Sequence, residues 1–578
     1  MEITSKNFLE QLPSIRQTIQ EANFFAIDGE FTGLTSDRNV YPFDTPEEVY
    51  LKTIQNSTNF VIVQLGLCAF KLNPDTGHWS YKCYNFYCYP KGRTQVFACQ
   101  GESIRFLADN GFDFNKLFSE GLSYCGEVEE QRKRAELKDR QAQRAAALKL
   151  TEDEQNDEKD SLNMIPVPTE EEKLISDISE RIENFIKSED KELAIANCNG
   201  FQRKLVYQLI DSKFQKLVST ASVVLENNQK AILVERKRTK KQEMQLEADR
   251  IAQENNELEN AVGLSLVLQE LSKARKLVVG HNMLLDLLFV IRQFFRPLPN
   301  NFQEFKKTVR ELFPMLLDTK YLCTNGELKV HVNSSVLGHV FEAVKKAPFK
   351  MPEVVSELEN HQYSQENMKL HEAGYDAYLT GICFLGLISY FKVDTRNLSN
   401  DPILKSYFNR IFLLRVSEIN FIHTHGKEPS FSREHIFFVT FPENWRQSDI
   451  VTRFRNYGPI HVSWVNNTSA FVTLHNRDYA SHVIRTIEKS QINICTFNQF
   501  KAKQQVFLRT GIKRRHDSGG PDREQQQQLQ QQPKGSEEKE EEATLALPKV
   551  NKVDGLNFGS PSKAKNMKTR TFADNDDW

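Results

Sequence analysis

The sequence of 578 residues lacks the features of disulfide-rich or zinc-binding proteins, of secreted proteins and of membrane proteins. Its nine cysteines are scattered, odd in number and without a CxxC pair, which argues against a disulfide framework or a zinc ribbon and for reduced thiols inside a cell. The start, MEITSKNFLEQL, has no basic region followed by an apolar run, so we expect no signal peptide. The longest apolar runs, FVIVQLGLCAF (60–70) and GICFLGLISYF (381–391), fall short of the ~18–20 residues that a membrane helix needs.

The chain also lacks a net charge of one sign. Lys and Arg number 75 and Asp and Glu number 77, which gives a formal charge of −2. No overall field would attract nucleic acid, so any surface that binds it must be local, and an acidic metal site would offset it in the count. At ~100–200 residues per domain, the length predicts roughly three to five domains.

Hydrophobic patterns predict an α/β domain that is split by an insertion. Its first part, 1–125, holds expected strands at 23–31, 60–70 and 84–90. Its second part, 255–422, resumes with a strand at 276–280 and helices at 263–276, 282–295 and around 378–390. Between them we predict a charged helix or linker over 126–170 and a small domain over 171–235, where apolar residues recur at helical spacing.

The C-terminal part divides into a folded and an unfolded segment. Residues 432–505 show a βαββαβ pattern, with strands expected at 435–441, 460–465, 470–474 and 494–500. Residues 511–578 are basic, then Gln-rich, then Glu-rich, a composition that cannot bury enough surface to fold. We therefore predict a disordered tail there.

Asp28 and Glu30 stand two residues apart at the end of an apolar strand. Strand side chains alternate, so both acids point to one face. Buried carboxylates cost several kcal/mol unless they are paired or bound to metal, which makes this pattern unusual. The alternative is an edge strand whose two acids lie in water.

Two further acids stand in apolar helices. Asp286 lies in GHNMLLDLLFVI just after a strand, where α/β sites occur, and either meets a cation or hydrogen bond or lies on a narrow polar stripe. Asp376 follows His371 by five residues near the start of an apolar helix, which it could instead cap. Four carboxylates can hold two Mg²⁺ or Mn²⁺ ions about 3.5–4 Å apart, one activating water and one stabilising the leaving oxygen, while a histidine takes the proton.

These motifs resemble a known family. DGE (28–30), Asn282 with Asp286, and His371 with Asp376 are similar to the three motifs of the His-type DEDD 3′→5′ exonucleases. FFAIDGEFTG, GFDFNKLF, GHNMLLDLL, LLDTKYL and LHEAGYDAYLTG, with GFQRKLVYQ in the insertion, resemble the poly(A)-specific ribonuclease family over about residues 1–505.

The resemblance implies a ribonuclease H-like nuclease that shortens poly(A) tails from the 3′ end in mRNA decay. It implies release of 5′-AMP, a homodimer, and residence in nucleus and cytoplasm. It makes Asp28, Glu30, Asp286 and Asp376 the ligands of two Mg²⁺ (Mn²⁺ being possible) and His371 the general base. It places five residues at the RNA, namely Phe31, Ile104, Phe106, Asn282 and Lys320; a plain core role is the alternative for Phe31, Ile104 and Phe106.

The accessory domains keep incomplete signatures. The insertion resembles an Arg-x-x-x-His single-strand-binding module, but Tyr207 stands four residues after Arg203, which leaves RNA contact and dimer contact both open. Residues 432–505 resemble an RNA-recognition motif whose signature strand keeps Phe471 but lacks a usual stacking aromatic, for which Phe437 partly compensates. By the resemblance, Trp464 stacks on the 7-methylguanosine cap, a cation–π pair; packing against another domain is the alternative.

Other readings remain at the level of the sequence. The basic runs KRR (513–515) and KAKNMK (563–568) resemble nuclear-import signals; the alternative is a solvated tail that carries no targeting signal. The chain could be an exonuclease that trims non-coding RNAs, or a non-catalytic RNA- or cap-binding protein. The intact set of four acids and His371 argues against the non-catalytic reading.

Overall fold

A computed structural model describes residues 1–34, 40–57, 59–90, 96–154, 165–224, 230–237, 240–359, 361–363 and 370–504. The predicted tail over 511–578 and its two basic runs lie outside these residues. Among the helices in the described ranges, none is both long and apolar enough to pass through a membrane.

A seven-stranded mixed sheet forms the centre of the molecule and confirms the α/β prediction. Its strands are β1 (Glu2–Ile3), β2 (Phe24–Phe31), β3 (Ile62–Leu72), β4 (Trp79–Tyr87), β8 (Leu277–Gly280), β9 (Leu316–Asp318) and β10 (Val354–Ser356). They lie in the order β1-β4-β3-β2-β8-β9, with β10 also paired to β4. Strands β2, β3 and β4 are antiparallel, whereas β8 and β9 run parallel to β2. Two distant segments of the chain thus build one sheet.

Helices cover both faces of this sheet. They are α1 (Phe8–Glu21), α2 (Pro46–Ser57), α3 (Gly101–Asp109), α4 (Phe114–Glu120), α9 (Leu264–Ala274), α10 (Leu284–Val290), α11 (Phe302–Leu312), α12 (Thr319–Thr324), α13 (Leu337–Val344) and α14 (Ala373–Tyr390). The alternation of β2 separates two cores, since Phe25 and Ile27 enter one while Phe24 and Ala26 enter the other. Such a sheet, buried on both sides, needs the long apolar runs that the sequence contains.

Helix α14 lies unusually close to β3. A Cβ atom on Gly66 would stand 2.0 Å from the carbonyl oxygen of Ala373, and one on Gly381 would stand 2.1 Å from the ring of Phe70. Only glycine permits these two approaches. They set the first turn of α14 directly against the sheet.

The insertion forms a small domain on two long helices. Its elements are α5 (Glu127–Glu154), α6 (Glu172–Lys187), β5 (Glu192–Ile195), α7 (Gly200–Leu209), β6 (Val218–Val224), β7 (Lys230–Arg236) and α8 (Lys240–Val262), with the sheet order β5-β7-β6. Helices α5 and α8 are joined by Arg144, whose guanidinium lies 3.1 Å from Glu247 and 2.7 Å from Glu254. The charged stretch predicted as a helix or linker is therefore helical over Glu127–Glu154.

A hairpin, β11 (Arg410–Phe412) and β12 (Phe421–His423), leads to the C-terminal domain. That domain contains β13 (Ile436–Thr440), α15 (Gln447–Phe454), β14 (Ile460–Asn466), β15 (Ser469–Leu474), α16 (Ala480–Thr486) and β16 (Asn493–Thr496). Its sheet order β14-β15-β13-β16 fits the predicted βαββαβ domain. The last predicted strand, 494–500, is wrong beyond Thr496, because 497–504 is helical. Phe497 and Phe500, three residues apart, lie on one face of that helix and both pack against Phe471.

The outer face of this small sheet is covered by aromatic side chains. The ring of Phe471 lies 5.2 Å from that of Phe43 and 5.1 Å from that of Tyr41, both in the nuclease half. Arg433 donates to Glu48 at 3.1 Å across the same contact. Phe437 is fully buried in the core of its own domain, so its predicted role in stacking was wrong. The usual base-stacking face is therefore occupied by the protein itself.

Candidate active site

Strand β2 carries Asp28 and Glu30 in the middle of the sheet. It is paired on both sides, with β3 and β8, so the edge-strand alternative is wrong. Glu30 is 5% exposed and Asp28 is half-buried. A Cβ atom on Gly29, between them, would lie 3.0 Å from Oδ1 of Asp286, which shows how closely the next acid approaches this strand.

Asp286 is delivered by α10, which begins after the neighbouring strand β8. Between strand and helix, Asn282 adopts a left-handed conformation with φ +60°, one that asparagine tolerates better than most residues. The Asp286 side chain is buried, and its Oδ1 atom has no hydrogen-bond partner. A polar stripe on the helix surface, the alternative for this residue, is therefore wrong.

His371 and Asp376 flank the start of α14. His371 has φ +68°, and its backbone N–H donates to Oδ2 of Asp376 at 2.9 Å. Oδ1 of Asp376 is buried without a partner. Because this carboxylate accepts from the preceding loop rather than from the first N–H groups of the helix, a pure capping role is wrong. The His371 ring lies 4.5 Å from that of Phe106, edge-on.

Buried amides hold the loop that carries these two residues. Gln64 accepts the Ala373 N–H at 3.0 Å, and Asn85 accepts the Gly374 N–H at 2.5 Å. Asn85 and the hydroxyl of Tyr363 both donate to Oε1 of Glu372 at 2.6 Å. This support was not predicted, since no motif marks Gln64 or Asn85 and only the fold shows that they face α14.

The pKa of each of the four acids is raised, chiefly by burial. Burial raises the pKa of Asp286 and of Asp376 to about 7. Burial, and then repulsion from the other carboxylates, raises the pKa of Asp28 and of Glu30 well above the ordinary range. An ionised set is therefore unfavourable in this place unless a cation neutralises it.

The donor atoms fit a divalent metal ion. One atom each of Glu30, His371 and Asp376 lie within 4.8 Å of one another. Carboxylate oxygens and imidazole are ligands of Mn²⁺, and carboxylates of Mg²⁺, and the buried lone oxygens of Asp286 and Asp376 supply further donors. His371, predicted as a base, thus lies where it could serve as base or as ligand.

Asp318 organises the neighbouring edge of the site and was not predicted. Its fully buried carboxylate accepts the backbone N–H groups of Asn282 and Lys320 at 3.0 Å, and of Met283 and Phe412 at 3.1 Å. It caps α12, and the aspartate before a short helix in LLDTKYL was a usable signal. Lys320 is 1% exposed, with its ammonium 5.6 Å from the centre of the Phe412 ring.

The remaining predicted residues fall in three places. Phe31 is buried in the core, 4.9 Å from the Phe289 ring, whereas Ile104 and Phe106 on α3 are half-buried. The core alternative thus describes Phe31 better than the other two. Trp464 is 40% exposed on β14, edge-on to Phe441 of its own domain and outside the acidic cluster.

Comparisons with known proteins show which family the chain belongs to. Residues 3–384 match the CAF1 family ribonuclease model, and residues 426–503 match an RNA binding domain model. The poly(A)-specific ribonuclease PARN of Xenopus laevis is 35% identical over 532 residues, covering 89% of this chain and 84% of that protein. The pre-piRNA 3′-exonuclease trimmer of Bombyx mori is 28% identical over 443 residues, covering 73% of this chain and 79% of that protein. The solved structure of S. pombe Pop2p in its Mg²⁺- and Mn²⁺-bound form matches at a TM-score of 0.32 and 16% identity, covering 68% of this chain and 95% of Pop2p.

The crowded acids predict a pH-dependent stability of the metal-free protein. A carboxyl group whose pKa rises from 3.8 to about 7 on folding does not destabilise the fold below about pH 4, where it is protonated in both states. The destabilisation grows as pH rises from about 4 to about 7 and stays constant at higher pH. Asp286→Asn removes this penalty. In chelator, we expect the variant to melt several degrees above wild type at about pH 8, with the gap closing near pH 4.5.

Thermal unfolding followed by circular dichroism measures both effects. The control is Asp177→Asn, which alters an exposed acid on α6 and should melt like wild type at each pH. Added Mg²⁺ should raise the melting temperature of wild type more than that of Asp286→Asn. An equal gap between wild type and variant at both pH values would contradict the account.

Proposed function

The chain belongs to the CAF1 family of ribonucleases, and from this membership we propose how its buried acids act. It is a poly(A)-specific 3′→5′ exoribonuclease with a ribonuclease H-like nuclease domain, as predicted from its motifs. The trimming alternative is less favoured, because the trimmer is the more distant relative over a smaller part of the chain. The hydrolysis depends on a divalent metal.

The observation that carries the mechanism is the cluster of Glu30, His371 and Asp376 within 4.8 Å, with Asp286 against Gly29 and Asp28 close enough to be repelled by the other three acids. We assign Asp28, Glu30, Asp286 and Asp376 to two Mg²⁺ ions, with Mn²⁺ as a substitute. When bound, the ions would neutralise these acids and supply positive charge beside the attacking water and the leaving 3′ oxygen. The low exposure of Glu30, Asp286 and Asp376 excludes bulk water, which strengthens that attraction.

His371 is assigned the proton transfer. Burial lowers the pKa of its imidazole, so the ring is neutral near pH 7 and can accept a proton from the attacking water. The hydrogen bond from its backbone to Asp376 and the edge contact with Phe106 restrict its orientation. The product that this reaction releases is 5′-AMP.

The RNA is proposed to enter along the edge that Asp318 organises. Lys320 supplies a positive charge there, and Asn282 an amide for hydrogen bonds. Ile104 and Phe106 offer half-buried apolar side chains next to His371, and Phe31 supports that wall from within the core. These assignments rest on the family resemblance, and for Asn282, Ile104 and Phe106 also on their partial exposure.

Cap binding, assembly and location complete the proposal. The exposed ring of Trp464 is available to stack on a 7-methylguanosine cap, and its sheet's usual stacking face is already covered. We propose a homodimer, in which the insertion with Arg203 and Tyr207 contacts either the partner or the RNA. Residence in nucleus and cytoplasm is proposed on the resemblance alone.

The assignment of the acids predicts that Asp286→Ala abolishes hydrolysis while leaving the fold intact. Without one carboxylate the ions lose a ligand, so the loss should resemble that of wild type in EDTA. A 5′-labelled RNA with an A-tail, and a matched RNA ending in another sequence, are incubated with Mg²⁺ and resolved as ladders. Asp177→Ala is the control. Near-normal turnover by Asp286→Ala would falsify the assignment, and equal ladders from both RNAs would contradict poly(A) specificity.

The base assignment predicts that His371→Ala lowers kcat by ~10²–10⁴, the usual size for proton transfer. The loss should persist at saturating Mg²⁺, and the fall of the rate at low pH should disappear. His339→Ala, which removes an exposed histidine, is the control. Recovery of the His371→Ala rate at high metal concentration would show that His371 is a metal ligand instead. If His371→Ala keeps the pH–rate profile of wild type, His371 has only a structural role.

The cap assignment predicts that Trp464→Ala erases a preference for capped over uncapped RNA. Free cap analogue, titrated into the full-length protein, should quench tryptophan fluorescence. The loss of a cation–π pair should weaken binding by ~1–2 kcal/mol. Val465→Ala, an equally exposed neighbour, is the control. Equal titration curves with and without Trp464 would show that the cap is bound elsewhere or not at all.

A further inference from the structure

We propose that one face of the β11–β12 hairpin binds a further nucleotide of the poly(A) strand, with Arg410 on its phosphate. The proposal rests on the proposed function, since it names the substrate's path away from the acidic cluster. It assigns a binding role to a segment that carries no recognised motif.

The register of the hairpin collects the relevant side chains on one face. Arg410 pairs with His423, and Phe412 pairs with Phe421. Residues that pair across antiparallel strands point to the same side, as do residues two apart. All four side chains are half-buried, whereas Ile411 and Ile422 between them are fully buried on the opposite side. The hairpin thus has an apolar inner face and a basic, aromatic outer face.

This outer face is continuous with the residues assigned to the RNA. The carboxylate of Asp318 binds the backbones of Asn282, Lys320 and Phe412 at once. The ammonium of Lys320 lies over the Phe412 ring at 5.6 Å. A strand bound at Lys320 therefore meets the hairpin next.

Arg410 lies on aromatic rings. Its guanidinium carbon is 5.5 Å from the centre of the Phe421 ring and 6.0 Å from that of Tyr321, and these two rings lie 5.2 Å apart. Within the described residues no carboxylate forms an ion pair with it, and its buried Nε makes no hydrogen bond. Arg144 and Arg433, by contrast, each reach a glutamate.

An arginine that packs against aromatic rings and forms no ion pair with an acid suits single-stranded nucleic acid. The planar guanidinium binds phosphate with paired donors, and aromatic rings stack with bases regardless of sequence. Lys320 lies over the Phe412 ring and Arg410 over the Phe421 ring, and these two rings pair across the hairpin, so one surface offers two positive charges to the phosphates of a strand. The occupant is therefore the poly(A) strand 5′ of the nucleotide being removed.

The test compares substrates that do and do not reach the hairpin. For a long oligoadenylate, Arg410→Ala should raise KM roughly tenfold with kcat unchanged, the size expected for a lost charged hydrogen bond. For diadenylate, which fills only the hydrolysis centre, both constants should match wild type. The dependence of log KM on log salt should lose about 0.7 of its slope, the share of one phosphate contact.

Matched variants separate charge from packing. Arg410→Lys keeps the charge and should keep the salt slope, while Arg410→Gln keeps much of the length and should lose it. Lys405→Ala, which removes an exposed charge just before the hairpin, should leave KM and slope unchanged. If Arg410→Ala does not fold, the comparison of KM and salt slope between Arg410→Lys and Arg410→Gln tests the hairpin site instead.

The outcomes are distinguishable from a failure of the proposed function. Wild type that leaves poly(A) intact would overturn the function itself. Wild type that degrades it, with Arg410→Ala or Arg410→Gln retaining the KM and salt slope of wild type on long substrate, would overturn the hairpin site alone. An equal rise of KM on diadenylate would likewise overturn it, because the effect would then arise in the hydrolysis centre.

Discussion

The withdrawal of four crowded carboxylates from water is the constraint around which the nuclease half is built. Burial raises the pKa of Asp28, Glu30, Asp286 and Asp376, and repulsion from the other acids of the cluster raises it further for Asp28 and Glu30. Hydrophobic packing gains nothing from such a cluster, and the stability of the surrounding sheet must sustain it. Under the proposed assignment, divalent cations offset this cost, and folding and metal binding are linked through the same four groups.

Keeping the acids in register requires a rigid scaffold at each approach. Gly66 lets α14 touch the sheet, and Asn85 fixes the turn from which Asp376 projects. On the other side, Asp318 ties the loop at Asn282 to the start of α12, the helix that carries Lys320. These contacts are short, buried and far apart in sequence, so the site is positioned by the tertiary fold rather than by any single segment.

The acids and the α/β class could be predicted because each leaves a local pattern in the sequence: an acid in an apolar run, or apolar residues that recur every two or every three to four positions. The role of His371 came from the resemblance of His371 and Asp376 to a family motif. Prediction from sequence could not identify Gln64 or Asn85, which are ordinary strand residues until α14 packs over them. It misjudged Phe437 because alternation does not say which face of a short strand is inner. It extended the last strand past Thr496, since two phenylalanines three residues apart suit a strand by composition and a helix by spacing.

The central claim is that the four acids together hold two divalent ions. The most direct measurement is the anomalous scattering of Mn²⁺ in crystals of the full chain with 5′-AMP. The account predicts two peaks about 3.5–4 Å apart among Asp28, Glu30, Asp286 and Asp376, with the His371 ring free to face the water. A single peak held by Glu30, His371 and Asp376, with Asp286 left without an ion, would contradict it.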